Sequence, residues 1–173
     1  MPAVLLAQDG TWLDVPFVKQ QKNLCGAACV SMVLLYWEKA SNDSSIPSSP
    51  QVPKSPNISE IIAALRSSES KGIYGSRMND YLTSQGYQSF VFKGAWKDIE
   101  NHLSKGRPLI VALGNKEKLD HFAVVTGQNP LEETVLLNDP ARKKLFKMAR
   151  SDFEKNWKKT GFWTLLALPP TFQ

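Results

Sequence analysis

The sequence lacks the features of several protein classes. No apolar run in its 173 residues is long enough to cross a bilayer, which takes roughly 20 residues. Only two cysteines and two histidines are present. Cys25 and Cys29 are four residues apart in a helix-like run, where side chains rise along one face and do not meet at disulfide distance. No paired Cys or His spacing typical of zinc occurs, so we expect no transmembrane segment, no disulfide framework and no metal.

The composition is that of an ordinary soluble domain. Hydrophobic residues make up 42% of the chain and charged residues 21%, both close to globular averages. A chain of this length buries a sizeable core without disulfides or metals. We expect a single domain over residues 1–173, with its core in residues 13–169.

The net charge of +5 is concentrated toward the C-terminus. Apolar residues alternate there with basic ones at strand and helix spacing, which favours a solvated face over a nucleic-acid site. We therefore expect no nucleic-acid partner, and a surface for an acidic partner or an anionic envelope is the alternative. The basic residues are Arg142, Lys143, Lys144, Lys147, Arg150, Lys155, Lys158 and Lys159.

The opening segment, Met-Pro-Ala-Val-Leu-Leu-Ala-Gln, bears on the compartment. It lacks the basic region of a secretion signal and is short for the apolar region of one. Two interpretations follow: a cytoplasmic protein, or an exported protein whose signal has been removed.

Hydrophobic periodicity predicts helices in the first half of the chain and mostly strands in the second. A loop rich in proline and serine covers residues 41–56, and a turn is expected at 127–130. The pattern predicts an α+β fold in which the helix that follows Cys25 packs against an antiparallel sheet. Further helices are expected at 58–65, 76–86, 96–105 and around Phe153 and Trp157, and strands at 13–18, 87–92, 108–113, 121–127, 134–138, 144–148 and 162–168.

Three helix starts carry a sequence signal. Asn57 with Glu60, and Ser151 with Glu154, have the spacing of a capping box. Ser76 is expected to open the helix that ends at Gly86.

Cys25 stands where a strand-like run gives way to the apolar helix. The first turn of a helix carries unpaired N–H groups and the positive end of the dipole, and both favour a thiolate over a thiol. The thiolate is the reactive form of cysteine. Gly26 would let another chain approach the sulfur closely. The alternative for Cys25 is a packed core cysteine, which is our interpretation of Cys29.

His121 and Asp139 are predicted to be neighbours although they are 18 positions apart. The turn at 127–130 makes their strands a hairpin, in which the start of one strand faces the end of the next. A base near a thiol, oriented by a carboxylate, is what nucleophilic catalysis requires. Taken singly, His121 is more typical of a satisfied polar residue at a strand edge, and Asp139 of an Asp-Pro turn. His102 is interpreted as a partly exposed surface residue.

Gln20 and Gln21 lie on the loop that leads to Cys25. The side-chain amide of either, together with the backbone N–H of Cys25, would stabilise the oxyanion of an acyl-transfer reaction. As isolated residues, both glutamines are typical of polar loops.

Four segments in order resemble the peptidase C39-like group of papain-fold cysteine peptidases. They are Val-Pro-Phe-Val-Lys-Gln at 15–20, Cys-Gly-Ala-Ala-Cys-Val-Ser-Met at 25–32, Asp-His-Phe-Ala-Val-Val-Thr-Gly at 120–127 and Val-Leu-Leu-Asn-Asp-Pro-Ala at 135–141. The resemblance implies a triad of Cys25 as nucleophile, His121 as general base and Asp139 as orienting carboxylate. It also implies that Gln20 is the oxyanion glutamine. A peptide bond would be cleaved through a thioester, without metal or organic cofactor.

The sequence departs from the members of this group that are fused to peptide exporters and cut leader peptides after Gly-Gly. No transporter segments follow, and Leu24 replaces a commonly acidic residue before the cysteine. Gln20 is five rather than six residues ahead of Cys25, and the loop at 41–56 is additional. We therefore expect a free-standing bacterial peptidase, exported to the periplasm or beyond the cell, with a cytoplasmic protein as the alternative.

Three functions remain open at this point. The first is a cysteine peptidase acting on a peptide or protein. The second is an amidase or acyltransferase that uses the same triad. The third is a catalytically silent module that binds peptides, which has no chemical reason to retain all triad members.

Overall fold

The computed structural model describes residues 10–43, 51–114 and 120–170. The opening segment, the middle of the proline- and serine-rich loop and most of the polar loop before His121 lie outside the described residues. The described elements, in chain order, are β1 (Thr11–Trp12), α1 (Cys25–Ser41), α2 (Ile58–Leu65), α3 (Gly75–Ser84), β2 (Gln88–Lys93), α4 (Trp96–Ser104), β3 (Leu109–Leu113), β4 (His121–Asn129), β5 (Thr134–Asn138), β6 (Phe146–Ala149), α5 (Arg150–Lys158) and β7 (Trp163–Leu168).

The seven described strands form one antiparallel sheet, as the sequence predicted. Its order is β2-β7-β3-β4-β5-β6, so the last strand of the chain inserts between β2 and β3. Strand β1 pairs with the far end of β4, where Trp12 lies opposite Gly127. Strands β4 and β5 form the predicted hairpin.

Helices cover both faces of the sheet. Ile110, Phe122 and Val124 face the cluster that contains the buried residues of α1, α2 and α3. Leu109 and Val111 face the cluster built by α4 and α5. Because successive strand residues point to opposite faces, a strand covered on both sides is apolar throughout. This explains why β3 is buried at all five positions.

Helix α1 is buried more completely than its periodicity predicted. Nine consecutive residues from Gly26 to Leu34 are buried, because the sheet covers one side of α1 and helices α2 and α3 cover others. Leu34 is almost fully buried, whereas its neighbour Leu35 is only partly buried. The periodicity of a surface helix predicts one buried face, so it underestimates the burial of a helix that has neighbours on several sides.

The predicted strand at 13–18 is wrong, because β1 ends at Trp12. Pro16 has no N–H to give to a ladder. The segment is nevertheless anchored, since Leu13 N donates to Thr126 O at 2.7 Å and Asn138 Nδ2 donates to Val15 O at 2.9 Å. Its apolar pattern reflects burial of Val15 in the core, not strand pairing.

The capping box at Asn57 is confirmed. Glu60 N donates to Asn57 Oδ1 at 3.0 Å, and Asn57 N donates to Glu60 Oε2 at 2.9 Å. Helix α2 therefore begins at Ile58, with both exposed amides satisfied at its start.

The capping box at Ser151 is wrong, since α5 already begins at Arg150 and its N-cap is Ala149. The N–H of Arg150 bonds to the Glu133 carbonyl oxygen at 2.8 Å. Glu154 instead accepts from Arg150 Nε at 3.3 Å. A tertiary partner thus replaces the side-chain cap that the sequence indicated.

Two further boundaries differ from the prediction. Helix α3 begins at Gly75 instead of Ser76. Gly75 packs against Trp163, since an added Cβ would lie 2.6 Å from a ring carbon of that side chain. The turn predicted at 127–130 lies at 130–133, because Gly127 is part of β4 and lies against β1. Asn129 Oδ1 fixes that turn by accepting from the N–H groups of Leu131 and Glu132. The other predicted elements are present to within one or two residues.

Candidate active site

Cys25 is the first residue of α1 and is partly exposed. Asn23 has φ +61°, and Leu24 N donates to Gln21 O at 3.0 Å, so a tight turn delivers the chain into the helix. Leu24, the N-cap, makes no side-chain cap hydrogen bond. The first N–H groups of a helix have no intrahelical acceptor. The Cys25 amide is therefore not used by the helix and is available to a ligand.

Cys29 lies one turn further along and is fully buried. Burial raises the pKa of the Cys29 thiol well above its usual value, and the charges of Cys25 and Asp139 add to the effect. A thiol that stays protonated is inert. The interpretation of Cys29 as a core residue is confirmed, and Cys25 is the reactive candidate of the two.

His121 and Asp139 are brought together as the hairpin predicted. The last β4–β5 ladder pair is Val124 with Asn138, so Asp139 lies just beyond the ladder. His121 Nε2 is 2.7 Å from Asp139 Oδ1, and their side chains are 21% and 4% exposed. With Nε2 bonded to the carboxylate, Nδ1 is the ring nitrogen left for the thiol.

The surroundings of His121 act on its pKa in opposite directions. Burial lowers the pKa of the imidazole, because it disfavours the charged form. Hydrogen bonds with the side chains of Asp139 and Cys25, together with their charges, outweigh burial and raise the pKa of His121 to about 9. The imidazolium is therefore the favoured form at neutral pH, between a carboxylate and a sulfur.

Asp139 is held by four further contacts. Ala141 N donates to Asp139 Oδ1 at 3.0 Å, and Arg142 Nε lies 3.5 Å from Oδ2. The backbone of Asp139 bonds to Lys143 O at 3.2 Å and to Arg142 N at 2.9 Å. Arg142 also stacks on Phe146, with its guanidinium 4.6 Å from the ring centre. These contacts fix the carboxylate that orients His121.

Asn138 was not predicted as part of this site. It is fully buried, its Nδ2 donates to Val15 O at 2.9 Å, and its Oδ1 accepts from Leu145 N at 3.1 Å. Asn138 thus joins the segment before α1 to the loop after Asp139. The only sequence signal was an amide next to the Asp-Pro pair, and that signal is equally typical of a turn.

Gln20 and Gln21 differ in their surroundings. Gln20 N donates to Pro140 O at 3.0 Å, so the Gln20 loop lies against the Asp139 loop. Its Oε1 is buried and has no hydrogen-bond partner among the described residues. Gln21 is exposed, and its carbonyl oxygen closes the turn before α1. Of the two, Gln20 is the one next to the other site residues.

The space beside Gly26 is occupied by this chain itself. A Cβ on Gly26 would lie 2.9 Å from Met78 Sδ and 3.0 Å from Ile73 Cγ2. A glycine is therefore required here by the close approach of Ile73, in the segment between α2 and α3. This segment therefore packs against α1 at the residue that follows Cys25.

His102 is separate from the site. It lies on α4, against the opposite face of the sheet. Burial lowers its pKa, and the charge of Arg107 lowers it further. Within the three described ranges, no group of three or more His, Cys, Asp or Glu side chains is placed to hold a metal, and no helix is long and apolar enough to cross a membrane.

Several solved structures share this fold. A protein from Bacillus anthracis assigned as a C39-like peptidase has a TM-score of 0.66 at 17% identity, over 95% of this chain and 100% of that one. The peptidase domain of Streptococcus ComA, a bifunctional ABC transporter of a quorum-sensing pathway, has a TM-score of 0.66 at 17% identity, over 90% and 98%. A double-glycine-motif protease from an AMS/PCAT transporter, in complex with a leader peptide, has a TM-score of 0.65 at 20% identity, over 94% and 99%.

A search of curated proteins gave no match. At 17–20% identity the structural matches establish a papain-like C39 peptidase fold. The reaction has to be argued from the residues of the site. A family model, described as the Peptidase_C39 like family, matches residues 12–164. Those residues include each candidate site residue named above. Since the match spans most of the sequence, the chain belongs to the Peptidase_C39 like family.

Proposed function

We propose that this chain is a cysteine peptidase that hydrolyses peptide bonds in a peptide or protein substrate. The observation that carries the proposal is the 2.7 Å contact between His121 Nε2 and Asp139 Oδ1 on an imidazole that also interacts with the Cys25 side chain. In this proposal the whole chain acts as one catalytic domain. A leader peptide bound to one structural relative is consistent with a peptide as the class of substrate.

The acylation step uses Cys25 and His121. The Cys25 thiolate attacks the scissile carbonyl carbon, and a C–S bond forms while the carbonyl oxygen takes the negative charge. The protonated His121 then gives its proton to the leaving amine, and the C–N bond breaks. Asp139 holds the imidazole in orientation and stabilises its charged form throughout. The product of this step is a thioester on Cys25.

The oxyanion is stabilised by two hydrogen-bond donors that are already positioned before it forms. The N–H of Cys25, at the uncapped start of α1, is one donor. The side-chain amide of Gln20 is the second, positioned by the bond from Gln20 N to Pro140 O at 3.0 Å. Donors that are fixed before the reaction stabilise the transition state without reorganisation.

Deacylation reverses the proton transfer. His121, now neutral, removes a proton from water, which attacks the thioester carbon, and the carboxylic acid product leaves as the Cys25 sulfur regains its negative charge. If an amine or alcohol replaced water, the same steps would give an acyltransferase. The products of the reaction distinguish these two outcomes.

The first test removes each reacting group. Turnover of a fluorogenic peptide library should fall by about 10³-fold or more in Cys25→Ala and His121→Ala, because the members of a triad act as a unit. The matched control is Cys29→Ala, which removes the second thiol and should keep activity. Circular dichroism spectra should show that all three variants are folded.

Alkylation provides a substrate-free readout. At about pH 5.5 an ordinary thiol, with a pKa of about 8.5, is almost wholly protonated and reacts little with iodoacetamide. If Cys25 acts as the proposed thiolate, the wild type should be labelled at this pH and Cys25→Ala should not. Labelling should also be lost in His121→Ala. Full turnover by Cys25→Ala, or peptide binding by the wild type without any turnover, would contradict the peptidase assignment, and the latter would favour a binding module.

A further inference from the structure

A cavity of about 310 Å³ lies between two loops next to Cys25. One wall is the turn before α1, including Lys22 and Leu24, and the other is the segment from Arg66 to Gly72 between α2 and α3. The volume is at the lower end of the range of roughly 300–1,000 Å³ found for small-ligand pockets. It is enough to receive a short piece of a peptide, not a folded partner.

The cavity is lined by positively charged side chains that make no ion pair with the described residues. Lys22, Arg66 and Lys71 line it, and no acidic residue does. None of the three forms an ion pair within the described parts of the chain. Glu69, in the same loop, is exposed and does not line the cavity. Three unpaired cations around one concave space favour an anionic ligand.

The cavity adjoins the nucleophile through the backbone. Leu24 lines it and immediately precedes Cys25. Gly72 lies against the other wall, where an added Cβ would be 3.5 Å from Asn23 O. The next residue, Ile73, packs against Gly26. A peptide that has its scissile bond at Cys25 and extends over the turn before α1 would therefore reach this cavity within a few residues of the cut.

The walls of the cavity are fixed by local hydrogen bonds. Leu24 N donates to Gln21 O at 3.0 Å on one side, and Ser70 Oγ donates to Gly72 O at 2.5 Å on the other. Buried Leu24 and Ile73 anchor the two loops to the core. The backbone that carries Lys22, Arg66 and Lys71 is therefore held in place on both sides of the cavity.

We propose that this cavity is a specificity site that binds acidic side chains of the substrate, through Lys22, Arg66 and Lys71. This inference rests on the proposed peptidase function, because it places the acidic side chains a few residues to one side of the scissile bond. Carboxylates form charge-assisted hydrogen bonds with Lys and Arg. Complementary charge of this kind determines which partner binds.

The test separates binding from cleavage. Fluorescein-labelled octapeptide mixtures, each with one position fixed as Glu or as Gln and the others as Ala and Gly, are titrated into Cys25→Ala by fluorescence anisotropy. Wild-type cleavage of the same mixtures is measured in parallel. In at least one position the Glu mixture should bind about tenfold more tightly than the Gln mixture in about 50 mM NaCl, since each exposed pair contributes a factor of roughly 1.5–5.

Charge variants assign the preference to the cavity. In Lys22→Gln/Arg66→Gln/Lys71→Gln, on the Cys25→Ala background, the Glu-to-Gln ratio should fall to about one. The matched control Lys97→Gln/Lys155→Gln/Lys158→Gln removes the same charge from exposed positions on α4 and α5, across the sheet, and should keep the ratio. Thermal melts should show that both triple variants are folded.

The outcomes of the two assays are independent. Turnover without a Glu preference, or a preference that the cavity variant retains, overturns the specificity site and leaves the peptidase proposal standing. A Glu preference that the cavity variant abolishes, with no turnover by the wild type, supports the binding site and overturns the peptidase proposal. A preference lost equally in the control variant shows an effect of net charge and overturns the specificity site.

Discussion

At the scale of single residues, the balance of forces on His121 determines the pH range of the proposed reaction. Burial acts against the imidazolium, while Asp139 and Cys25 stabilise it. The effects of Asp139 and Cys25 outweigh burial, and the pKa of His121 rises to about 9. A raised pKa means that the proton is kept until the pH rises through that value, so the proton donor for the leaving amine persists through neutral pH.

Asp139→Asn should shift the alkaline limb of activity. The limb of kcat/KM, which reports the free enzyme, should lie near pH 9 in the wild type. Asparagine removes the charge of Asp139 and leaves burial opposed only by Cys25, so the pKa of His121, and with it the limb, should move to lower pH. Activity at the optimum should also fall by about 10²-fold or more, because the imidazole loses its orienting carboxylate.

The control for this experiment is Asp152→Asn, an exposed carboxylate on α5. It should leave both the limb and the rate unchanged. An alkaline limb that stays near pH 9 in Asp139→Asn would show that Asp139 does not govern the proton on His121.

The triad candidates could be predicted from the sequence, whereas the residues that hold them in position could not. Cys25 was indicated by a helix start, and His121 and Asp139 by the two ends of a hairpin. Asn138 gave no comparable signal, because its hydrogen bond to Val15 O joins residues that are 123 positions apart in sequence. Arg142 is only three residues from Asp139, but their contact depends on how the chain turns after Asp139. As isolated residues Gln20 and Gln21 were both typical of polar loops, and the structure distinguishes them by burial and by the bond from Gln20 N to Pro140 O.

At the scale of elements, β1 depends on a glycine in β4. Strand β1 has two residues and pairs with β4 beside Gly127. A Cβ on Gly127 would lie 2.5 Å from Thr11 O and 2.8 Å from Trp12 Cβ. No such approach is tolerated without a shift of backbone, and the sequence indicated only that this glycine was a turn residue.

Gly127→Ala should therefore destabilise the protein. Displacing β1 should lower the free energy of unfolding by roughly 1–3 kcal/mol, as overpacking does elsewhere, measured by urea denaturation. Gly72→Ala is the matched control, since its nearest neighbour would be 3.5 Å away, an ordinary contact. Equal stability of the two variants would show that β1 moves aside without cost.

At the scale of the whole molecule, Asp14 joins three segments of the chain. Its carboxylate lies 2.7 Å from Lys39 Nζ on α1 and 2.6 Å from Lys144 Nζ before β6. The hydrogen bond with Lys144, then that with Lys39, lowers the pKa of Asp14 to about 2. The carboxylate is half exposed, so water screens both pairs and their contribution to stability is small.

Asp14→Asn should lower the melting temperature by roughly 1–4 °C at neutral pH. A lowered pKa contributes stability that is present above the ordinary value near 3.8 and is lost as the pH falls through about 2. The difference between wild type and variant should therefore shrink below pH 4 and vanish near pH 2. It should also shrink in roughly 1 M NaCl, which screens exposed pairs.

Calorimetry across this pH range checks the prediction, with Asp80→Asn, an exposed carboxylate on α3 beyond its first turn, as the control. That variant should melt with the wild type at every pH. A difference for Asp14→Asn that persists below pH 2 would show that the side chain stabilises by packing, not by charge.

The sequence by itself determined the class of fold, the apolar α1, the antiparallel sheet and the capping box at Asn57, because periodicity and capping are local properties of the chain. It also singled out Cys25, His121 and Asp139. Only the tertiary structure decided that residues 13–18 form no strand, that Glu133 replaces a cap at Arg150, and that Arg66 and Lys71 lie beside the turn before Cys25. Those outcomes depend on distances between remote segments, which are set by packing and are not encoded in any local pattern.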